Sequence, residues 1–191
     1  MADNEHWLVD FSSSAAKTDT LLNESDHLSL LLVGLTGEAG SVLTELKKQR
    51  RELEAYPHYR NRLVEELGDF LWYFVRVCET FEPRSICRLQ ASVCLSEHSD
   101  AALVDLALQF SAAVTKLAES IRVNSLSREQ YDQAVSQVWY RLQRIALTTR
   151  IELSHAAESN REKTVSRWPQ SVVYRTLFDR TAVRRSNCLD V

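Results

Sequence analysis

The sequence predicts an all-α protein, and three observations support this fold class. The chain has 191 residues but only four glycines and three prolines, whereas sheet proteins need both residue types at their many turns. Apolar residues recur at spacings of three and four over long stretches, which is the period of an amphipathic helix. Apolar residues also make up 45% of the chain, which is enough for a packed core and argues against wholesale disorder.

The first long helix has the clearest periodicity. A polar segment at residues 1–25 precedes it, with a short helix expected near residues 7–11. The long helix itself is predicted over residues 26–54, because an apolar side chain recurs at every third or fourth position. These side chains are Leu28, Leu31, Leu32, Leu35, Ala39, Val42, Leu43 and Leu46.

Further helices follow along the chain. A second helix is predicted over residues 61–81 and ends before Pro83, because proline cannot continue a helix. Residues 85–98 suit either a short helix or a loop. Two more helices are predicted over residues 100–123 and 127–166.

The last of these helices has a recognisable start. Ser127 and Gln130 have the spacing of a capping box, in which each side chain satisfies the other residue's backbone amide. A break near Ser154 is one alternative for this helix, and the tail at 169–191 is irregular. The predicted organisation is a polar segment 1–25, an all-α domain 26–168 (helices at 26–81, additional helices at 82–150, a closing basic helix at 151–168) and a tail 169–191.

Charge and composition limit the partners and the compartment. A net charge of −3 gives no electrostatic reason to expect a nucleic acid or an anionic membrane as partner. No uninterrupted apolar run approaches the about 18 residues of a membrane span, and the first residues lack the basic and apolar regions of a secretory signal. The four cysteines lack the paired spacing of a zinc site, and we interpret them as reduced thiols. The expected location is the cytoplasm.

The glycines have an unusual distribution, because all four lie inside the first two predicted helices. A glycine in a helix interior costs about 1 kcal/mol relative to alanine, so their placement indicates a close approach of another helix or of a ligand. The four positions are Gly34, Gly37, Gly40 and Gly68.

Three carboxylates accompany these glycines. Glu66 and Asp69 are three residues apart and share one helix face, while Glu38 lies between two glycines of the preceding helix. If the two helices pack antiparallel, the three acids converge. Clustered carboxylates are costly to desolvate and repel one another, and a divalent cation relieves both effects. Oxygen ligands favour Mg²⁺ or Mn²⁺. The alternative is that the acids lie on solvent-exposed helix faces and have no role.

Two segments carry a family resemblance. GLTGEAG at 34–40 and EELGDFLWY at 65–73 resemble the all-α MazG-type nucleoside triphosphate pyrophosphohydrolases, which carry an ExxE pattern on one helix and ExxD on the next. Glu66 and Asp69 match ExxD in full, and Glu38 matches the first acid of ExxE. The resemblance implies that these three residues bind Mg²⁺ (or Mn²⁺ in its place) around a triphosphate and catalyse its hydrolysis.

The chain departs from the family pattern at Ser41, which stands where ExxE has its second acid. Ser41 is a candidate metal ligand that would bind more weakly than a carboxylate. Glu45 follows Glu38 by seven residues, about 10 Å along the helix axis. It is either a ligand acting through water or an ordinary surface residue, and the surface interpretation is favoured. Reduced metal affinity, altered substrate choice and loss of activity all stay open.

A second match lies near the end of the predicted domain. The family's closing helix carries an NxxKxxxR pattern, which here falls on Asn160, Lys163 and Arg167. These residues share one helical face, and the resemblance implies that they bind the phosphates. The alternative is a solvated basic stripe. Lys48 is a further candidate for phosphate binding, although a cation in the last turns of a helix also suits the helix dipole.

A weak internal repeat is also visible. Residues 35–46 align in character with 106–117, and residues 71–73 align with 138–140. The second copy would keep the packing positions and lose the carboxylates, although many pairs of amphipathic helices align this well. The alignment equates Glu38 with Gln109, Glu66 with Gln133, and Asp69 with Ser136.

The resemblance implies a fold and an activity. The expected fold is a helical bundle of the all-α pyrophosphohydrolase type, assembled as a homodimer or homotetramer with sites between subunits. The expected activity is Mg²⁺-dependent hydrolysis of a nucleoside or deoxynucleoside triphosphate to the monophosphate and pyrophosphate. Two alternatives are a weakened relative that binds nucleotide without turnover and a helical dimerisation module.

Overall fold

The computed structural model describes residues 6–83, 85–91 and 102–167. Over these residues the chain forms seven α-helices and no strand, so the all-α prediction is confirmed. The helices are α1 (Trp7–Lys17), α2 (His27–Glu52), α3 (Tyr59–Phe81), α4 (Ser85–Ala91), α5 (Leu103–Arg122), α6 (Arg128–Thr149) and α7 (Leu153–Arg167), and a short 3-10 turn (Leu53–Ala55) follows α2.

The predicted bounds of the long helices agree well with those observed. The capping box at the start of α6 is confirmed, because the Gln130 amide donates to Ser127 Oγ at 3.3 Å and the Ser127 amide donates to Gln130 Oε1 at 2.9 Å.

The predicted helix over 127–166 is two helices, and the break lies a few residues before Ser154. Arg150 adopts the left-handed conformation there, with φ 56° and ψ 40°, which ends α6.

Other predictions fall partly beyond the described residues. The ambiguous segment 85–98 contains the helix α4, and its remainder lies outside the described residues. The predicted tail at 169–191 also lies outside them.

Helices α2 and α3 form an antiparallel hairpin. Gly34 lies against the ring of Tyr73, while Glu38, one turn further along α2, lies beside Asp69, one turn earlier on α3. As the residue number rises along α2, the number of its contact residue on α3 falls, so the two helices are antiparallel. The short connection through the 3-10 turn favours this arrangement, because it leaves too little chain for a crossover.

One apolar core joins all seven helices. The inner face of α3 lies at its centre, where Phe70 meets Phe110 of α5 with ring centroids 4.9 Å apart, and Phe74 stacks on Trp139 of α6 at 6.1 Å. Both phenylalanines are fully buried. Burial of each side chain of this size stabilises the fold by about 1.5–3 kcal/mol. These contacts therefore pack α3 against both α5 and α6.

Helix α1 is longer than the short helix expected near 7–11. It buries Leu8, Phe11 and Ala15 in the common core, and its Ser12 hydroxyl donates to Glu79 at 3.1 Å. Ser12 concealed the amphipathic pattern because its hydroxyl is satisfied inside the protein rather than in solvent. The described part of segment 1–25 thus contributes to the same core as the helices that follow.

A buried charge cluster fixes the linker between α1 and α2. The carboxylate of Asp19 is fully buried and accepts a hydrogen bond from Arg76 Nε of α3 at 2.9 Å. His27 Nε2 at the start of α2 lies 2.8 Å from the same oxygen. Breaking a buried pair of this kind costs about 3–5 kcal/mol, because one charge is left without a partner. The linker is therefore tied to both long helices.

One helical stretch, His27–Ala55, is long and apolar enough to cross a membrane by length and mean composition alone. This is weak support for a span, because the core helix of a soluble protein passes the same test. Leu31, Leu35 and Val42 of this stretch are fully buried against other helices. One face of the stretch therefore belongs to the apolar core.

Candidate acidic metal site

Three carboxylates converge between α2 and α3, as the sequence predicts for an antiparallel pair. Glu38 comes from α2, and Glu66 and Asp69 come from successive turns of α3. One oxygen from each side chain lies within 4.8 Å of the other two, and all three residues are half-buried. The antiparallel register of the hairpin is what brings residues so distant in sequence to one point.

The donor set and spacing of this cluster suit a small divalent cation. Mg²⁺ prefers oxygen ligands at about 2.0–2.1 Å, which places oxygens on opposite sides of the ion about 4 Å apart. The observed spacing of up to 4.8 Å is close to that requirement. The residues present therefore fit a Mg²⁺ or Mn²⁺ ion.

The cluster makes ionisation of its own members costly. Burial raises the pKa of Glu38, and the neighbouring charges of Asp69 and Glu66 raise it further. Burial also raises the pKa of Glu66, with additional contributions from Asp69, Glu65 and Glu45. Carboxylates held this close with raised pKa values are typical of a site that binds a cation or moves a proton.

Replacing Glu38 with Gln is expected to raise the melting temperature of the protein at neutral pH in EDTA. Because the folded-state pKa lies above the ordinary value of 4.5, the folded protein holds this proton more tightly than the unfolded chain. Its stability therefore falls as the pH rises from 4.5 through the raised pKa, and the loss is complete above it. The neutral amide avoids that loss. At this chain length each 1 kcal/mol of stability gained raises the melting temperature by roughly 2–4 °C.

Thermal unfolding followed by circular dichroism across the acidic and neutral range tests this expectation. The gain should shrink as the pH approaches the ordinary carboxyl pKa. Glu54→Gln is the matched control, because Glu54 is exposed and lies outside the cluster. A Glu38→Gln protein that is no more stable than the control at neutral pH would show that the three charges do not repel one another.

Ser41 takes part in the site through Glu38. Its hydroxyl forms a hydrogen bond with the Glu38 carboxylate, which partly offsets the rise in the pKa of Glu38. The serine lies one turn after Glu38 on the same face of α2. The departure from the ExxE pattern therefore places a neutral hydrogen-bond donor beside the acids instead of a fourth charge.

Glu45 lies near the acids but outside their cluster, and the favoured surface interpretation of this residue is wrong. Only 4% of Glu45 is exposed. Its carboxylate accepts hydrogen bonds from Lys48 at 2.6 Å and from the hydroxyl of Tyr56. Burial disfavours its ionised form, but these two hydrogen bonds outweigh burial and lower its pKa. Tyr56 reaches it because the 3-10 turn after α2 folds the connection back.

Lys48 forms an ion pair with Glu45 and does not line the cavity beside the acids. Its ammonium also lies 5.8 Å from the centre of the Tyr56 ring. The structure therefore does not bring Lys48 to the acid cluster.

Helix α7 brings two of the three predicted basic-helix residues onto Asp69. The Asn160 side-chain amide donates to Asp69 Oδ1 at 2.6 Å, and Lys163 Nζ contacts both carboxylate oxygens, Oδ2 at 2.5 Å. Gly68 makes this approach possible, because a Cβ built there would lie 2.5 Å from the carbonyl oxygen of Ala156. The glycine thus sets the spacing of α3 and α7.

Asn160 retains one unused hydrogen-bonding atom. The residue is only 4% exposed, and its side-chain oxygen has no hydrogen-bond partner. A buried acceptor without a partner costs about 1–3 kcal/mol, so a donor supplied by a bound ligand or by water is favourable there. This oxygen belongs to the same side chain that contacts Asp69.

A cavity of about 200 Å³ opens beside the cluster. Arg167, the third residue of the basic pattern, is exposed and lines it. The remaining walls include Trp72 and Tyr73 of α3, whose rings are half-buried and meet edge to face at 4.9 Å.

One wall of this cavity is supplied by the linker between α1 and α2, and it was not predicted from the sequence. Thr18, Thr20 and Leu21 line it, and the Trp72 indole donates to Thr18 Oγ1 at 3.0 Å. Nothing in a short polar linker distinguishes these residues. The buried pairing of Asp19 with α3 and the hydrogen bond from Trp72 to Thr18 hold them against the site.

Comparisons with protein-family models, with curated proteins and with solved structures found no match to this chain. The assignment of candidate residues therefore depends on geometry and chemistry. The residues that geometry brings together are Glu38, Ser41, Glu66, Asp69, Asn160, Lys163 and Arg167.

Proposed function

We propose that this protein hydrolyses a nucleoside or deoxynucleoside triphosphate to the monophosphate and pyrophosphate in the presence of Mg²⁺. The observation that carries the proposal is the convergence of three carboxylates with a lysine and an asparagine beside one cavity. A cation held by acidic residues and basic side chains that bind phosphate are recurring parts of sites for phosphoryl chemistry. The reaction class itself comes from the resemblance to the MazG-like family and is an argument by analogy.

The acidic side of the site would hold the metal. Glu38, Glu66 and Asp69 supply its carboxylate ligands, and Ser41 orients Glu38 through its hydrogen bond. When bound, Mg²⁺ offsets the charge of the phosphates and polarises the bond that is cleaved. One carboxylate of the cluster accepts the proton of the attacking water.

The basic side of the site would hold the phosphates. Lys163 is flexible and about one-fifth exposed, so its ammonium can exchange the Asp69 carboxylate for a phosphate oxygen. Arg167 is exposed at the same cavity and can bind a phosphate with two parallel hydrogen bonds. The unpartnered oxygen of Asn160 accepts a hydrogen bond from a substrate hydroxyl or from an ordered water.

The size of the cavity limits which part of the substrate it encloses. Pockets that enclose a whole small ligand have volumes of about 300–1,000 Å³, and this cavity has about 200 Å³. We therefore assign it to the triphosphate, with the base beyond its rim. A homodimer or homotetramer, as the resemblance implies, stays a prediction that light scattering tests. The proposal places the protein in the cytoplasm with its nucleotide substrates.

The decisive experiment is an assay of pyrophosphate release from the eight common nucleoside and deoxynucleoside triphosphates. We expect release from at least one of them with Mg²⁺ or Mn²⁺ and none in EDTA. Calorimetry with the same nucleotides and Mg²⁺ accompanies the assay. Binding without release would favour the weakened relative instead, an outcome that the neutral Ser41 at the second ExxE position makes worth testing.

Replacing Lys163 with Gln is expected to raise the KM for the triphosphate by about tenfold or more. A hydrogen bond to a charged group contributes about 1.5–3 kcal/mol, and 1.4 kcal/mol is a factor of ten in affinity. The same change leaves the three acids without their cation, so the protein without metal should also be less stable at neutral pH. Steady-state kinetics and thermal unfolding in EDTA measure the two effects.

Lys47→Gln provides the matched control for this variant. Lys47 is exposed on α2 and does not line the cavity, so the same change of charge should leave the KM unaltered. An unchanged KM in Lys163→Gln would remove this lysine from substrate binding.

A further inference from the structure

A second and larger cavity lies between α5 and α6. Its volume is about 710 Å³. It is a groove open to solvent, because most of the residues that line it are exposed. None of the residues that line it also lines the cavity beside the acid cluster. Its polar walls are formed by Gln109, Lys116, Gln130, Gln133, Gln137 and Arg141, with small apolar residues between them.

The lining of the α5–α6 cavity is cationic and contains no carboxylate. Lys116 makes no ion pair within the described part of the chain. Arg141 donates from Nη1 to the side chain and carbonyl oxygen of Gln137, while its Nε is buried and has no hydrogen-bond partner. A buried guanidinium nitrogen without an acceptor is costly. The cavity therefore offers two positive charges and an unused donor, but no ligand set for a divalent metal.

The position of this cavity parallels that of the acid cluster. The alignment of residues 35–46 with 106–117 equates Glu38 with Gln109, and the alignment of 71–73 with 138–140 equates Glu66 with Gln133. Both glutamines line the α5–α6 cavity. The offset that pairs Glu38 with Gln109 also pairs Glu45 with Lys116. Where α2 and α3 carry carboxylates, the aligned positions of α5 and α6 carry amides and a cation. This holds whether or not the two helix pairs arose as a repeat.

We propose that the α5–α6 cavity is a second binding site that takes a nucleoside monophosphate without a divalent cation. A phosphate monoester carries a charge of about −1.5 to −2 at neutral pH, which the charges of Lys116 and Arg141 balance. Glutamine amides both donate and accept hydrogen bonds, as the edge of a nucleobase requires. Gln109 and Gln133 contribute these contacts from opposite helices.

The site does not depend on hydrolysis at the acid cluster. Binding is therefore measured in EDTA, where metal-dependent binding at the acids is removed. Isothermal titration calorimetry uses the nucleoside monophosphates of the four common bases and, separately, inorganic phosphate. We expect at least one nucleotide to bind, and to bind at least tenfold more tightly than inorganic phosphate. We also expect the affinity to be unchanged in Glu66→Gln.

Variants locate the binding. Lys116→Ala and Arg141→Ala should each weaken it tenfold or more, while Lys47→Ala, which removes an exposed cation from α2, should not change it. Lys116 is exposed, so its replacement leaves folding intact and keeps the test valid if Arg141→Ala fails to fold. Absence of nucleotide binding in EDTA overturns the proposal. Equal affinity for inorganic phosphate, or binding that Lys116→Ala leaves intact, overturns it as well.

Discussion

Replacing Glu66 with Gln is expected to reduce Mg²⁺-dependent pyrophosphate release by about 100-fold or more. Glu66 provides one of the three carboxylates that meet within 4.8 Å, and the amide removes its charge while keeping its shape. Loss of groups that merely support metal ligands typically costs 10–100-fold in affinity or activity, so loss of a ligand itself should exceed that range. The variant should also lose the stabilisation that Mg²⁺ gives the folded protein, since ligands that bind only the folded state raise its stability.

Glu65→Gln is the matched control for this experiment. Glu65 precedes Glu66 on α3 and undergoes the same chemical change, but it is not part of the acid cluster. Its nearest cation is Arg62, at 3.2 Å, and Lys163 lies 3.6 Å away. Exposed pairs such as that with Arg62 contribute little. We expect activity within about threefold of the unsubstituted protein, since the median exposed pair is worth about 0–1 kcal/mol. Equal activity in both variants would exclude Glu66 from the mechanism.

Replacing Gly68 with Ala is expected to destabilise the protein and to lower its activity together. In an open helix the change would stabilise by about 1 kcal/mol. Here the added Cβ would lie 2.5 Å from the carbonyl oxygen of Ala156 and 2.9 Å from the Cβ of Asn160. Neither atom is the end of a flexible side chain, so α7 itself must shift. Overpacking of this kind costs about 1–3 kcal/mol, and the shift draws Asn160 and Lys163 away from Asp69.

Gly37→Ala gives the opposite expectation on the neighbouring helix. A Cβ at Gly37 meets no atom within 4 Å, so the helix-propensity gain of up to about 1 kcal/mol should appear in full. Denaturant unfolding of the two variants measures the difference directly. If Gly68→Ala is as stable as Gly37→Ala, α3 and α7 do not pack as closely as described.

These glycines also show how far the sequence could predict the structure. Their placement in helix interiors indicated close approaches, and this is confirmed at Gly34, against the Tyr73 ring, and at Gly68, against α7. At Gly37 and Gly40 a Cβ would meet no protein atom within 4 Å, so no helix approaches closely there, and the alternative of a ligand stays a prediction. Periodicity locates a glycine on a helix, but it does not reveal which face another helix will cover.

The acid cluster was predictable because its causes are local. A spacing of three placed Glu66 and Asp69 on one face of α3, and a short connection made an antiparallel partner for Glu38 the simplest arrangement. The burial of Glu45 was not predictable, because it depends on Tyr56, which returns from the connection after α2 to cover it. Tertiary contacts of this kind leave no periodic signal in either segment.

The tie between Asp19 and α3 bears on how fragments of this protein should be designed. A fragment beginning at residue 26 would follow the predicted boundary, yet it would leave Arg76 buried without its carboxylate and uncover the surface on which Leu8 and Phe11 rest. It would also remove Thr18 and Leu21 from the rim of the acidic cavity. Shortened proteins made for assay should therefore retain α1 and the linker that follows it.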